Sequence, residues 1–338
     1  MLVGHRTWIF NNQPVIISTG TVGGPEEAEG KIPEAFNILH DDMWLRQKSY
    51  EQAQQMMMEE ASQYAIKNSP INKEQVEFFI SGDLINQITP TSFAAKTLDV
   101  PYFGIFSACA TSMEGLALAA FIINNGGANY ILSGTASHYS STERQFRYPT
   151  EYGGQIPPTA QQTVTGAGCG LIAKEGHGPI VTSATIGKVV DMGITDPFNM
   201  GGAMAPAAAD TIIAHLKERN VDPSYYDLIV TGDLGEVGRS VSFDLLRESG
   251  IDIKDHQYLD CGTSIYRKEQ GVNSGASGTA SSAVGIYGHF LKMIEKGEIK
   301  RLLAVATGAL HSPLVIQQKG SIPCIAHAVS IEAGRDYS

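Results

Sequence analysis

Apolar positions along the chain recur at two spacings. Over residues 50–67, Ala53, Met57, Ala61, Tyr64 and Ala65 fall on one helical face, which predicts a helix with one side against a core. Ser49 ahead of it, with Gln52 three residues on, forms a capping box that marks its start. The Met56-Met57-Met58 run lies inside this helix, where flexible apolar side chains act as core filler. Short apolar runs at 76–81, 102–107, 228–231, 257–260 and 302–306 predict buried strands. Further helices are predicted over about 112–125, closed by Gly126-Gly127, and over about 205–219 and 282–296. Strands alternating with amphipathic helices predict a layered α/β fold.

The pattern repeats. Phe78-Phe79-Ile80-Ser81-Gly82-Asp83-Leu84 has a partner in Leu228-Ile229-Val230-Thr231-Gly232-Asp233-Leu234. Gly134-Thr135-Ala136-Ser137-His138 matches Gly308-Ala309-Leu310-His311, each after an apolar run. Gly168-Cys169-Gly170-Leu171-Ile172 has a looser counterpart in Pro323-Cys324-Ile325-Ala326. The pairs keep their order, at offsets of 150, about 174 and 155. A duplication follows, with halves at 1–175 and 176–338 joined near Glu175-Gly176-His177-Gly178-Pro179.

Composition narrows the classes. The 338 residues are 43% hydrophobic and 17% charged, enough to bury a full core. A net charge of −11 disfavours nucleic acid and gives no polybasic patch for anionic lipid. Cys109, Cys169, Cys261 and Cys324 are far apart, with no CxxC or zinc spacing, so a reducing compartment is expected, with no metal and no cofactor. The first fifteen residues lack a signal-peptide core, and the longest apolar run, Leu116 to Ile123, is far short of the roughly 20 residues that span a bilayer. A soluble protein that could dock on a membrane protein is expected.

The most informative segment is Gly104-Ile105-Phe106-Ser107-Ala108-Cys109-Ala110-Thr111-Ser112-Met113-Glu114-Gly115. An apolar strand enters, small residues turn the chain, and a helix leaves, with Thr111 and Glu114 spaced as a capping box. Cys109 would then stand at a helix N-terminus, where the dipole lowers a thiol pKa or holds a ligand carboxylate.

This elbow resembles that of the thiolase superfamily, which includes thiolases and β-ketoacyl-ACP synthases. The run Gly271-Val272-Asn273-Ser274-Gly275-Ala276-Ser277-Gly278-Thr279-Ala280-Ser281 resembles the Asn-Gly-Gly-Ala…Gly-His loop of those proteins. The resemblance implies a duplicated αβαβα layered sandwich, usually paired as a homodimer. Two departures stand out. Ser281 occupies the place of the Gly-His-Pro imidazole, and the Thr231-to-Glu236 stretch has no His where initiating synthases carry one. A serine hydroxyl is no base near neutral pH. His311, after the C-terminal strand, is the candidate to refill the pocket; His138 is its pseudo-symmetric alternative. Arg144, Arg147 and Arg267 are scattered and form no CoA-phosphate cluster.

With Leu2-Val3-Gly4-His5-Arg6-Thr7-Trp8, these motifs resemble the stage V sporulation protein AD family of spore-forming bacteria. That resemblance implies a non-catalytic subunit of a dipicolinic acid channel in the spore inner membrane. Such a subunit binds dipicolinic acid and its calcium chelate for uptake in sporulation and release in germination. It would lie peripheral to the membrane and contact the channel's membrane-embedded subunits. The expected ligand-binding residues are Cys109, Phe106, Ser107, Asn273, Ser277, His311, Ser312 and Met200. The 191–201 segment is either a loop over the pocket, a partner contact or a plain connection, and its Asp191 and Asp196 could meet a ligand-borne calcium ion. The alternatives are an acyl-thioester condensing enzyme with Cys109 as nucleophile, and a structural adaptor whose pocket is a relic.

Overall fold

Two sets of five strands share one wiring diagram. The structure is a computed structural model that describes residues 1–146 and 157–334. The first set is β1 (Val15–Gly23), β2 (Phe78–Gly82), β3 (Tyr102–Gly104), β4 (Tyr130–Ser137) and β5 (Gly166–Ala173), ordered β1-β5-β4-β2-β3. The second is β6 (Ile180–Thr185), β7 (Leu228–Thr231), β8 (Tyr258–Asp260), β9 (Arg301–Ala309) and β10 (Cys324–Glu332), ordered β6-β10-β9-β7-β8. In each set the first two pairings are antiparallel and the last two parallel. The sets meet where Val15 of β1 pairs with Ile180 of β6.

The strands need two apolar faces because helices cover both sides. The helices are α1 (Tyr50–Lys67), α2 (Thr89–Leu98), α3 (Thr111–Asn124), α4 (Tyr139–Phe146), α5 (Met200–Arg219), α6 (Gly235–Glu248) and α7 (Thr279–Val284). The last runs on through a π turn, Gly285–Phe290, into Leu291–Glu295. Ile80, Ile131, Val230, Leu302 and Ala304 face a central core with Met113, Leu116 and Ile123 of α3 and Ile286 and Phe290 after α7. Their chain neighbours face outward: Phe79 and Leu132 meet Met57 and Met58 of α1, while Ile229, Leu303 and Val305 meet Met204 and Ile212 of α5. This alternation gives the order helix, sheet, helix, sheet, helix, the αβαβα sandwich. Each large side chain so buried contributes roughly 1.5–3 kcal/mol. The apolar run Leu116 to Ile123 is apolar on every side because α3 lies between the two sheets. Among the described residues no helix is long and apolar enough to cross a membrane.

Several predicted boundaries shift, three of them near the site. The strand expected over 102–107 stops at Gly104, where the chain leaves for the elbow. The helix expected from 205 starts at Met200, because the Asn199 side chain accepts from Gly202 N at 3.3 Å and caps it despite the Gly201-Gly202 pair. The helix expected over 282–296 begins at Thr279.

Candidate functional site: the Cys109 cavity

The elbow is held by its own small side chains. Ala108 takes a left-handed backbone, φ 49°, a strained conformation for a residue with a Cβ. Thr111 does not form the predicted capping box with Glu114: it is the first residue of α3, and the N-cap is Ala110, with no side-chain cap. The Thr111 hydroxyl instead accepts from Ser107 N at 3.2 Å and donates to Ala108 O at 2.7 Å, closing the turn from inside. Behind the elbow, β9 passes so near that a Cβ on Gly308 would lie 2.2 Å from Ser107 O. Ser112 of α3 and Ser282 of α7 share a 2.6 Å hydroxyl contact, tying the central helices together beside Cys109.

Cys109 stands at the edge of a narrow cavity of about 40 Å³, lined also by Leu84, Thr142, Phe146, Met200 and Asp233, by Thr163, Met204, Ser277 and Gly278, and by Ala309 and His311. The expected lowering of its thiol pKa is reversed. Burial pushes the thiol well above its ordinary range, and the charge and hydrogen bond of Asp233 push it further, against a Gly278 N–H that favours the thiolate. The dipole of α3 loses because burial and an adjacent carboxylate both disfavour a second anion.

Asp233 is the residue the sequence expectation missed. It follows β7, is buried, and accepts from Gly278 N at 3.1 Å, from the Thr307 hydroxyl at 2.8 Å and from the Cys109 thiol. Burial pushes its carboxyl up to about 7, with the nearby Asp260 charge acting in the same direction. The available signal was the repeat of Gly82-Asp83 as Gly232-Asp233 in the stretch searched for an imidazole. Thr142 of α4 was also missed. Its hydroxyl is buried at the cavity without a hydrogen-bond partner among the described residues.

The predicted residues divide. Cys109, Met200, Ser277 and His311 line the one cavity. Phe106 and Ser312 do not; they line an adjoining outer groove of about 460 Å³ with Asn86, Gln87, Gln145 and Pro313. Leu84, Phe146 and His311 border both spaces, and the His311 ring stacks on Phe146 with centroids 5.3 Å apart. Ser107 is turned away from the cavity. Gly187 N donates to His327 Nδ1 at 3.3 Å, so Nε2 carries the proton and donates to Ser107 Oγ at 3.1 Å. Burial holds the His327 imidazole down at about 4. Asn273 lies in a separate surface groove with Lys31, Glu236 and Arg267. Left-handed turns at Gly271, Asn273 and Gly275 fold that loop outward before Ser277 reaches the cavity.

His138 is buried elsewhere, with Nε2 2.8 Å from Met43 O and Nδ1 accepting from Ser140 N at 3.1 Å. Ser281 donates to Gly232 O at 2.9 Å and serves to hold the end of β7. The loop before α5 is strapped to residues 321–324: Asp191 accepts from Ser321 at 2.6 Å, Ile322 N donates to Ile194 O at 2.8 Å, and Cys324 N donates to Val190 O at 2.8 Å. Asp191 and Asp196 each accept from a backbone N–H two residues on. Arg144 pairs with Glu51, Arg267 donates to Gly30 O, and Arg147 lies outside the described residues.

A profile of the stage V sporulation protein AD family matches residues 4–332. The chain belongs to that family. The stage V sporulation protein AD of Bacillus subtilis strain 168 is 46% identical to it over 331 residues, 98% of each chain. Among solved structures, 3-oxoacyl-[acyl-carrier-protein] synthase III from Aquifex aeolicus VF5 aligns over 94% of this chain and 99% of its own, with a TM-score of 0.59 and 14% identity. Human mitochondrial 3-ketoacyl-CoA thiolase, solved with CoA, aligns over 98% of this chain and 100% of its own, with a TM-score of 0.56 and 12% identity. At such identities these two establish the thiolase-like fold. Membership of the stage V sporulation protein AD family makes this a sporulation protein.

Proposed function

We propose that this sporulation protein binds dipicolinic acid and its calcium chelate at the Cys109 cavity, as the peripheral subunit of a spore inner-membrane channel. It does not form carbon–carbon bonds. The observation that carries the second half is the thiol–carboxylate contact. A condensing enzyme needs a thiolate and a base that removes its proton. Here burial and the Asp233 carboxylate both push the Cys109 thiol up, which disfavours the thiolate. What remains is a set of donors, Thr142, Ser277 and His311, beside apolar walls from Met200, Met204 and Phe146. That combination suits a flat ring bearing two carboxylates. The inner cavity is far smaller than the roughly 300–1,000 Å³ of ligand pockets. The ring therefore seats where cavity and outer groove adjoin, and the His311–Phe146 stack opens to admit it. Pairing as a homodimer and contact with membrane-embedded channel subunits complete this reading.

Calorimetric titration of the whole chain with dipicolinate, with and without calcium, tests it. Saturable heat is expected, and Cys109→Ala should keep the fold while weakening binding several-fold. Absence of heat and of any thermal shift at millimolar ligand would remove the reading. Intact-mass measurement after incubation with an acyl-CoA should show no added acyl group. An adduct on Cys109 would establish the condensing-enzyme alternative instead.

A further inference from the structure

Among the described residues that line the cavity beside Cys109, Asp233 carries the one carboxyl group. Its oxygens are met by a backbone N–H, a threonine hydroxyl and a thiol. No Lys or Arg among the described residues forms an ion pair with it. A dicarboxylate entering this space sets new negative charge against a buried carboxylate that no Lys or Arg among the described residues pairs with. Two carboxylates that share so dry a site do not both stay ionised.

We propose, taking the ligand reading above as given, that Asp233 is a proton-carrying contact of the pocket: the ligand binds with Asp233 protonated, its O–H donating to a ligand carboxylate oxygen. Where Asp233 is ionised in the free protein, binding takes one proton from solvent onto it, and release returns that proton. No bond is made or broken besides this proton transfer.

The surroundings fit that role. The groups facing Asp233 are the Cys109 thiol from the elbow, Asp260 from the end of β8, Cys261 just after it, Cys324 from β10 and His311 from the loop after β9. The three thiols are held protonated, first by burial. Asp260 is committed to other donors: the Thr231 hydroxyl at 2.7 Å, Leu234 N at 2.9 Å and Gly235 N at 3.0 Å. Its charge keeps Asp233 ready to accept a proton. Burial already holds the Asp233 carboxyl at about 7, so the proton is within reach at neutral pH. His311 is the competing acceptor in the same cavity.

The test is calorimetry of dipicolinate binding, without added calcium, from pH 6 to 8.5, in pairs of buffers that differ in ionisation heat. Wild-type protein is expected to take up about one proton per ligand at pH 8 and progressively less toward pH 6. Its affinity should fall about fivefold between pH 7 and 8. Asp233→Asn, checked for folding by circular dichroism, should abolish the uptake and bind as tightly at pH 8 as at pH 6. His311→Gln should keep the uptake. Zero uptake by wild type at pH 8 would overturn the proposal, whatever the variants do. Uptake that survives Asp233→Asn and disappears in His311→Gln would assign the proton to the imidazole. Wild-type binding that tightens as pH rises would overturn the proposal as well. Failure of wild type and both variants to bind at any pH would remove the ligand reading itself, a result distinct from binding without proton uptake.

Discussion

Asp83 and Asp233 hold matching places in the two halves, each just past the second strand of its set, yet they face different partners. Asp83 accepts from Ile85 N at 2.7 Å and Thr91 N at 2.9 Å, and from the Thr91 hydroxyl, all within its own half. Asp233 reaches the thiol of the other half. Burial pushes both carboxyls up, to about 6 and about 7. The histidines divide the same way. His138 has both ring nitrogens engaged by backbone, whereas His311 stacks on Phe146 at the mouth of the cavity. Duplication supplied each position twice; one copy became scaffold and the other faces the cleft. A site built this way depends on asymmetry that the repeat itself does not display.

The largest effect expected is at the paired glycines. A Cβ on Gly308 would meet Ser107 O at 2.2 Å and Ala110 N at 3.0 Å, while one on Gly134 would meet Gly168 O at 2.6 Å and Cys169 Cα at 2.9 Å. Both neighbours are backbone and cannot swing aside. Gly308→Ala and Gly134→Ala should each cost about 1–3 kcal/mol in denaturant unfolding. Only Gly308→Ala should also abolish dipicolinate binding, because the shifted backbone is the elbow. Wild-type affinity in Gly308→Ala would separate the elbow from the ligand.

Next come the histidines. His138→Ala strips partners from Met43 O and Ser140 N inside the fold and should cost about 1–3 kcal/mol, read as a melting point lower by several degrees. His311→Ala should move the melting point far less, yet weaken dipicolinate about tenfold by titration calorimetry. The reverse pattern would exchange the two roles.

Much of this was legible beforehand. Phe79 and Ile80, or Leu303 and Ala304, are adjacent apolar residues that face opposite layers, so a buried strand between two helix layers is written directly in the run. Cys109 was visible because small residues between a strand and a helix leave few ways to turn. Its protonation was not, since the dipole that lowers a thiol pKa is local and the carboxylate that raises it arrives from a residue 124 positions away. The direction of Ser107 was not legible, because left-handed Ala108 rotates the chain between it and Cys109, turning it toward His327. The placement of Asn273 in a separate groove was not legible, because motif spacing does not reveal three left-handed turns. Thr142 carried no signal at all. Whether a threonine hydroxyl finds a partner is decided only when distant elements close around it.

That hydroxyl supplies the smallest effect and the finest discrimination. Thr142 and Ser183 each bury an Oγ without a hydrogen-bond partner among the described residues, which carries a desolvation cost. Thr142 lines the cavity, and Ser183 lies in β6. Removing either hydroxyl should leave stability equal or raise it by up to about 1 kcal/mol. If both are simply packing defects, Thr142→Val and Ser183→Ala will be alike in every assay. If the Thr142 hydroxyl is kept for a ligand carboxylate, Thr142→Val alone should lose about five- to tenfold in dipicolinate affinity, the net weight of one typical hydrogen bond, while its melting point stays level or rises. A variant that becomes more stable as it binds less tightly is hard to explain by damage to the fold. Equal affinity in Thr142→Val and wild type would return the hydroxyl to the class of Ser183.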